Sequence, residues 1–184
     1  MAKFLCRCGE RMNLSFDWER YEYRIVKEEV IKLVGALLDE NDRMCSLDFH
    51  DKLNEHAGDV LMCPECNRFY VNWGGRFFTP YIKEGTAPSS IPDYQCSCGV
   101  SLAHPDGDHT CVLMKDSAME GISDILDDKL PLPSDLFYRL TADVTNPVLI
   151  CPECGRHHIK MKEGVSLVYA KEVAVPDEDD TPAA

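Results

Sequence analysis

The chain has no long apolar run. Nowhere in its 184 residues does a stretch approach the roughly 18 uninterrupted apolar residues of a membrane helix, so no membrane association is expected. Positive charge is scarce: 19 lysines and arginines stand against 32 aspartates and glutamates, for a net charge of -13. Charge of that sign repels phosphate backbones and steers association towards basic partners. Nucleic-acid binding through a broad basic face is therefore disfavoured. A glycine-rich phosphate loop, a nucleophile–base pair, a carboxylate cluster with ligand spacing and an HxH or HExxH pattern are all missing. Catalysis has no foothold, and the chain reads as a non-enzyme. An apolar signal region has no room before Cys6. The thiols are thus expected in a reducing cytoplasm, which favours metal over disulfides.

Cysteine, by contrast, is plentiful: ten in all, eight of them in four short clusters. In order these are Cys6-Arg7-Cys8-Gly9, Cys63-Pro64-Glu65-Cys66, Cys96-Ser97-Cys98-Gly99 and Cys151-Pro152-Glu153-Cys154. The two CxCG clusters lie 90 residues apart and the two CPEC clusters 88. That is an internal duplication written in ligand chemistry. Each copy supplies four thiolates, the number a closed structural zinc site needs, with no position left for substrate or water. The expected ligands of two structural zinc ions are Cys6, Cys8, Cys63 and Cys66, and then Cys96, Cys98, Cys151 and Cys154. Four thiolates also suit iron, so the spacing does not name the metal. CxxC pairs serve thiol–disulfide exchange as well. That chemistry usually sets the first cysteine at a helix N-terminus, whereas Asn67-Arg-Phe-Tyr-Val71 reads as a strand.

The duplication predicts an α+β protein of two tandem zinc-ribbon-like domains, each a small antiparallel sheet with one main helix. The first covers 1–84, a linker 85–92 follows, the second covers 93–175, and an acidic, disordered tail 176–184 ends the chain. In the first copy, residues 20–26 alternate as a strand, and Val30, Ile31, Val34, Leu37 and Leu38 mark a helix over about 28–40. Residues 47–56 suggest a shorter helix. Phe69–Trp73, Gly74-Gly75 and Arg76–Ile82 form a hairpin after the CxxC. In the second copy Thr110–Met114 replaces the strand. Ile122, Ile125, Leu126 and Leu130 match Val30, Leu33, Val34 and Leu38 at an offset of 92. Residues 148–150, 158–161 and 165–169 complete it.

Other residues invite function less strongly. Cys45 and Cys111 have no counterpart in the opposite copy and read as buried free thiols. His157 and His158 read as hairpin residues, and His50, His56, His104 and His109 as scattered. Arg11, Arg68, Arg76 and Arg156 with Tyr70, Trp73, Phe77, Phe78 and Tyr81 could form a small stacking surface for nucleic acid, but a ribbon core explains the aromatics as well. Charge is uneven: residues 93–184 carry 17 acidic and 7 basic side chains, against 15 and 12 in residues 1–92. Asp124, Asp127, Asp128 and the tail acids are the candidate acidic surface.

Phe4-Leu-Cys-Arg-Cys-Gly9, Tyr23–Glu28 and Met62-Cys-Pro-Glu-Cys-Asn-Arg-Phe-Tyr-Val71, echoed by Tyr94–Gly99 and Ile150–Arg156, resemble a group of small bacterial zinc-ribbon-like proteins with a CxCG…CPxCxR pattern. Asn67 stands where glycine usually follows the second pair. The resemblance implies an accessory or immunity-type product rather than an enzyme, and with the acidic charge the expected function is a non-catalytic, zinc-stabilised protein-binding module that uses its acidic surface to occlude a basic protein partner such as a toxin. A nucleic-acid-associated ribbon using Arg68, Trp73 and Arg76 is the alternative, and a thiol oxidoreductase a more distant one.

Overall fold

A short hairpin of β1 (Lys3–Leu5) and β2 (Arg11–Asn13) opens the chain, and a single helical turn, α1 (Trp18–Tyr21), leads out of it. The path then runs β3 (Glu22–Lys27), α2 (Glu28–Asn41), α3 (Ser46–Asn54), β4 (Ala57–Met62), β5 (Phe69–Asn72) and β6 (Thr79–Pro88). It recurs as β7 (Thr110–Lys115), α4 (Asp116–Asp127), α5 (Ser134–Val144), β8 (Thr145–Ile150), β9 (His157–Lys160) and β10 (Val165–Lys171). The computed structural model describes residues 3–15, 18–41, 44–88, 95–102, 110–128, 132–162 and 165–173.

The two passes do not form two domains. Each contributes four strands to one closed antiparallel barrel, ordered β10-β6-β5-β4-β3-β7-β8-β9, with β9 returning to β10. This corrects the expectation of two separate zinc-ribbon-like domains. An isolated pass would leave β3 and β6 as unpaired edges, and the second pass covers both, β3 pairing with β7 and β6 with β10. Both seams are centred on equivalent residues. Ile25 faces Leu113 in one and Ile82 faces Ala170 in the other, each pair 88 residues apart. An approximate two-fold axis thus runs through the two seams.

That offset of 88 holds from β3 to the end of β10. It relates Val34 to Ile122, Leu38 to Leu126, and Phe49 to Phe137. The offset of 92 read from the helices is one turn out, because apolar residues recurring at helical spacing match nearly as well after a slip of four. The strand-to-helix junctions, Lys27-Glu28 and Lys115-Asp116, fix the register.

Two cores result. Inward residues of the barrel alternate along every strand, among them Ile25, Val60, Phe69, Val71, Leu113, Val148, Ile159 and Tyr169. The opposite face of β3 and β7 gives Val26 and Met114 to a second core, shared with Val30, Val34 and Leu38 of α2, Phe49 and Leu53 of α3, Met119, Ile122 and Leu126 of α4, and Phe137 of α5. The helices thus lie as a layer over the β3–β7 seam. Phe49 and Phe137 meet edge to face with ring centroids 6.3 Å apart, joining the two copies across the axis. At the edge of the layer Arg24 of β3 donates to Asp59 of β4 at 2.6 Å and to Asp116 of α4 at 2.8 Å, again bridging the copies. Tyr138 of α5 packs so close over Gly35 of α2 that a Cβ there would lie 2.1 Å from its hydroxyl, which itself donates to the Lys32 carbonyl.

Local expectations fare differently from the global one. The strands at 22–27 and 69–72 and the helices starting at Glu28 and Ser46 are present. Each copy has two helices packed on the sheet, however, rather than one main helix. Residues 85–88 of the expected linker belong to β6, where Pro88 pairs with Val165. Residues 89–92, His104, His109, Leu130 and the tail 176–184 lie outside the described residues.

Candidate metal centres

Each cysteine cluster is a tight backbone turn that aims two sulfurs at one point. In the first, the Cys6 N–H donates to the Glu10 carbonyl at 2.8 Å and the Gly9 N–H to the Cys6 carbonyl at 2.9 Å. In the second, the Cys63 N–H donates to Arg68 and the Asn67 N–H to Cys63, both at 2.9 Å. The turns at Cys96 and Cys151 repeat these bonds. Every turn ends on a residue with positive φ: Gly9 at 96°, Asn67 at 55°, Gly99 at 92° and Gly155 at 67°. Asparagine is among the few residues with a side chain that tolerate this conformation, so its place in the series is a local requirement met differently. A Gly155→Val substitution is expected to cost about 1–2 kcal/mol, measured by urea unfolding, because a β-branched side chain resists the left-handed region.

The turns converge in pairs. Cys6, Cys8, Cys63 and Cys66 form one tetrad and Cys96, Cys98, Cys151 and Cys154 the other, all sulfurs of each within 4.8 Å of one another. In the first, Cys6 Sγ lies 3.4 Å from Cys66 and from Cys8, and Cys8 lies 3.7 Å from Cys63. In the second, Cys96 lies 3.4 Å from Cys154 and Cys98 lies 3.5 Å from Cys151. A disulfide would need about 2.05 Å. Four sulfurs each about 2.3 Å from a central zinc have edges of about 3.8 Å. The donor set and its spacing fit a tetrahedral cation. Both tetrads could hold a metal ion, and the eight sequence candidates are brought together in the two expected groups.

β4 and β8 run in opposite directions, so the CPEC turns that follow them leave the barrel at opposite sides. The first tetrad rests on Met12, Tyr21, Leu61 and Tyr70, with Phe4 edge-on to Tyr70 at 4.8 Å. The second rests on Leu102 and Leu149. In both, the first cysteine of each cluster is buried, the last of CxC is exposed and the last of CxxC is half-buried.

Charge is arranged alike around both. Burial pushes the Cys63 and Cys96 thiols up to about 12. Burial also works against Cys66 and Cys154, but the Arg68 and Arg156 side chains and backbone N–H groups outweigh it, and both thiols come down to about 6. A bound cation must therefore displace protons from Cys63 and Cys96, while Cys66 and Cys154 already favour thiolate. Each arginine makes a second contact. Arg68 donates through Nε and a terminal nitrogen to both carboxylate oxygens of Glu172 at 3.2 Å, and Arg156 does so to Glu84 at 2.6 and 2.9 Å. The Arg156 guanidinium holds the Glu84 carboxyl below the usual range.

The copies differ in one quarter. The Tyr70 hydroxyl lies 3.1 Å from Cys6 Sγ and accepts the Arg7 N–H at 3.0 Å. The corresponding residues of the second copy are His158, whose Nε2 is buried without a partner, and Ser97.

Other candidates resolve individually. Cys111 is buried in the barrel, whereas Cys45 is exposed and caps α3, its sulfur accepting the Asp48 N–H at 3.5 Å. Asp127 is also a cap: its carboxylate accepts the Ser46 N–H at 3.0 Å. Asp124 and Asp128 are exposed. His157 lies on the β9–β10 hairpin, and its side chain points inside the barrel against Phe69 and Tyr81. Of the nucleic-acid candidates, Arg68 and Arg156 are committed to carboxylates, Tyr70 and Phe78 pack around the first tetrad, and Tyr81 packs inside the barrel, leaving Arg11, Trp73, Arg76 and Phe77 exposed. Glu84 and Glu172 were not singled out from the sequence. The signal was present, since Tyr81-Ile-Lys-Glu84 recurs as Tyr169-Ala-Lys-Glu172 at the offset of 88.

No helix among the described residues is long and apolar enough to cross a membrane. No curated protein matches the chain, and no solved structure matches it. Residues 2–85, which span the first copy of the repeat, match a family model described as a domain of unknown function, DUF8617.

Proposed function

We propose that the protein is a non-catalytic binding module, stabilised by two structural zinc ions, that docks a basic protein partner on its helical layer. The observation that carries this reading is the charge of that layer. Helices α2 to α5 contain twelve acidic residues and three basic ones, Lys32, Lys52 and Arg139. Among the acids stand exposed apolar side chains, Leu33, Leu47, Ile125, Tyr138 and Val144, at least one on each helix. Apolar anchors in a field of one sign suit a partner with the opposite charge and its own apolar contacts. The closed four-sulfur cages support a scaffolding role for the metal, since a structural zinc needs all four positions. A cytoplasmic role of the immunity type, with a basic toxin as the occluded partner, is the specific form this reading takes.

Two measurements test it. Freshly purified protein is expected to carry two equivalents of zinc by elemental analysis, with eight thiols protected until a chelator is added. Glu40→Lys, Glu120→Lys and Asp124→Lys together are expected to weaken the partner recovered with the wild-type chain at least tenfold, without moving the melting temperature. The salt dependence of binding should flatten in parallel. Asp127 is left in place because it caps α3. Undiminished binding by the triple variant would remove the helical layer from consideration.

A further inference from the structure

The crossed Arg–Glu pairs join elements that the metal cages alone do not. Arg68 stands two residues beyond Cys66 in the first copy, but its carboxylate, Glu172, follows β10 of the second. Arg156 stands two residues beyond Cys154 in the second copy, and its carboxylate, Glu84, lies on β6 of the first. Both contacts use the two-pronged geometry in which guanidinium and carboxylate fix each other's orientation as well as attract. The backbone of each arginine closes a cysteine turn, the Arg68 carbonyl accepting the Cys63 N–H at 2.9 Å and the Arg156 carbonyl the Cys151 N–H at 2.8 Å. Arg7, between Cys6 and Cys8, adds a contact of 3.4 Å to Glu172. The Glu172 N–H donates to the Pro80 carbonyl at 2.9 Å, pinning the carboxylate's backbone to β6.

We infer that Arg68 and Arg156 are positioning residues that lock each metal cage with a carboxylate from the opposite copy, so that retention of each ion depends on the other half of the barrel. This rests on the reading of the tetrads as metal sites. Four thiolates around one divalent cation carry two excess negative charges, and a guanidinium two residues beyond the last cysteine offsets them only while it is correctly aimed. The carboxylate supplies the aim. By linkage, whatever the ion adds to the Arg–Glu contact the contact returns to ion affinity.

The test uses the full-length, zinc-loaded chain. Excess chelator is added, thiols are alkylated at successive times, and each cysteine peptide is followed by mass spectrometry. Glu172→Gln is expected to expose Cys6, Cys8, Cys63 and Cys66 about tenfold faster while leaving Cys96, Cys98, Cys151 and Cys154 within about twofold of wild type, a size drawn from second-sphere substitutions at other metal sites. Glu84→Gln should do the reverse. The Glu172 effect should be the larger, because Arg7 has only Ser97 as its counterpart. General loosening of the fold does not produce a crossed pattern. Acceleration of the tetrad in the same copy as the substitution, or of both tetrads equally, would overturn the inference. Wild-type chain that arrives without metal and alkylates at all eight thiols at once would instead overturn the metal reading beneath it, and the two failures are distinguishable in the same spectra.

Discussion

A single Cys63→Ser substitution is expected to destabilise both copies of the repeat, not one, while leaving the barrel folded at 25 °C. Structural zinc contributes an apparent 10–16 kcal/mol or so in small zinc-finger peptides, against total stabilities of about 5–15 kcal/mol for ordinary domains. Even a loss of roughly 5 kcal/mol would lower the melting temperature by about 10–20 °C in a chain of this size. The informative quantity is where the loss falls. The barrel core takes Ile25, Val60 and Phe69 from one copy and Leu113, Val148 and Ile159 from the other, and the helical core is shared in the same way. Hydrogen exchange in Cys63→Ser should therefore lose protection in β7 to β10 as well as β3 to β6, in one transition. Persisting protection of residues 110–171 would mean that the copies fold independently, against the shared cores.

The second large effect concerns pH. His157 is buried inside the barrel, and apart from a weak approach to the Gly155 backbone neither of its ring nitrogens has a partner. Burial pulls its pKa down to about 4, below the ordinary value of about 6.5 for an unfolded chain. Below about pH 6.5 the unfolded chain binds a proton that the folded one refuses. The stability His157 confers is thus whole above that pH and drains away as pH falls towards about 4, by roughly 3 kcal/mol. His157→Phe installs the residue that occupies the equivalent place, Phe69, in the first copy. It is expected to stabilise the protein at pH 7 by about 1–2 kcal/mol, by removing polar atoms left unpaired, and to flatten the curve between pH 6.5 and 4. Denaturant midpoints of the two proteins across that range give the answer. Acid loss of metal affects both alike, so the difference between them isolates the imidazole. Parallel curves would refute the assignment.

What could be read from the residues divides along physical lines. The tetrads were legible because ligand spacing is set by local turn geometry, and Asn67 was legible as a left-handed substitute for glycine for the same reason. Strands and helices followed from periodicity. The barrel was missed because a duplicated sequence is equally compatible with two modules in tandem and with two halves of one sheet. The clue lay in β3 and β7. Ile25 and Val26, like Leu113 and Met114, are adjacent residues on opposite strand faces, and all four are buried. A strand apolar on both faces belongs in the middle of a layered sheet, not at the edge of a small ribbon. Helix α5 was missed although Leu136, Phe137, Leu140 and Thr141 repeat at helical spacing behind Pro133. The acidic surface was placed partly on Asp127, which the fold uses as a cap, because charge alone does not separate a solvent-facing carboxylate from one that accepts a helix N–H.

The centring of both seams on equivalent residues, Ile25 with Leu113 and Ile82 with Ala170, has a consequence for chains that carry the unit once. Such a chain exposes two complementary edges of its own, and a second molecule turned through 180° would satisfy both together, giving an isologous homodimer with the same ring closure. The present protein has the arrangement that such a dimer would have, with both halves in one chain. Joining them makes assembly independent of concentration and releases the halves from identity. Tyr70 and His158, Arg7 and Ser97, and Phe69 and His157 are places where the two have already become different proteins.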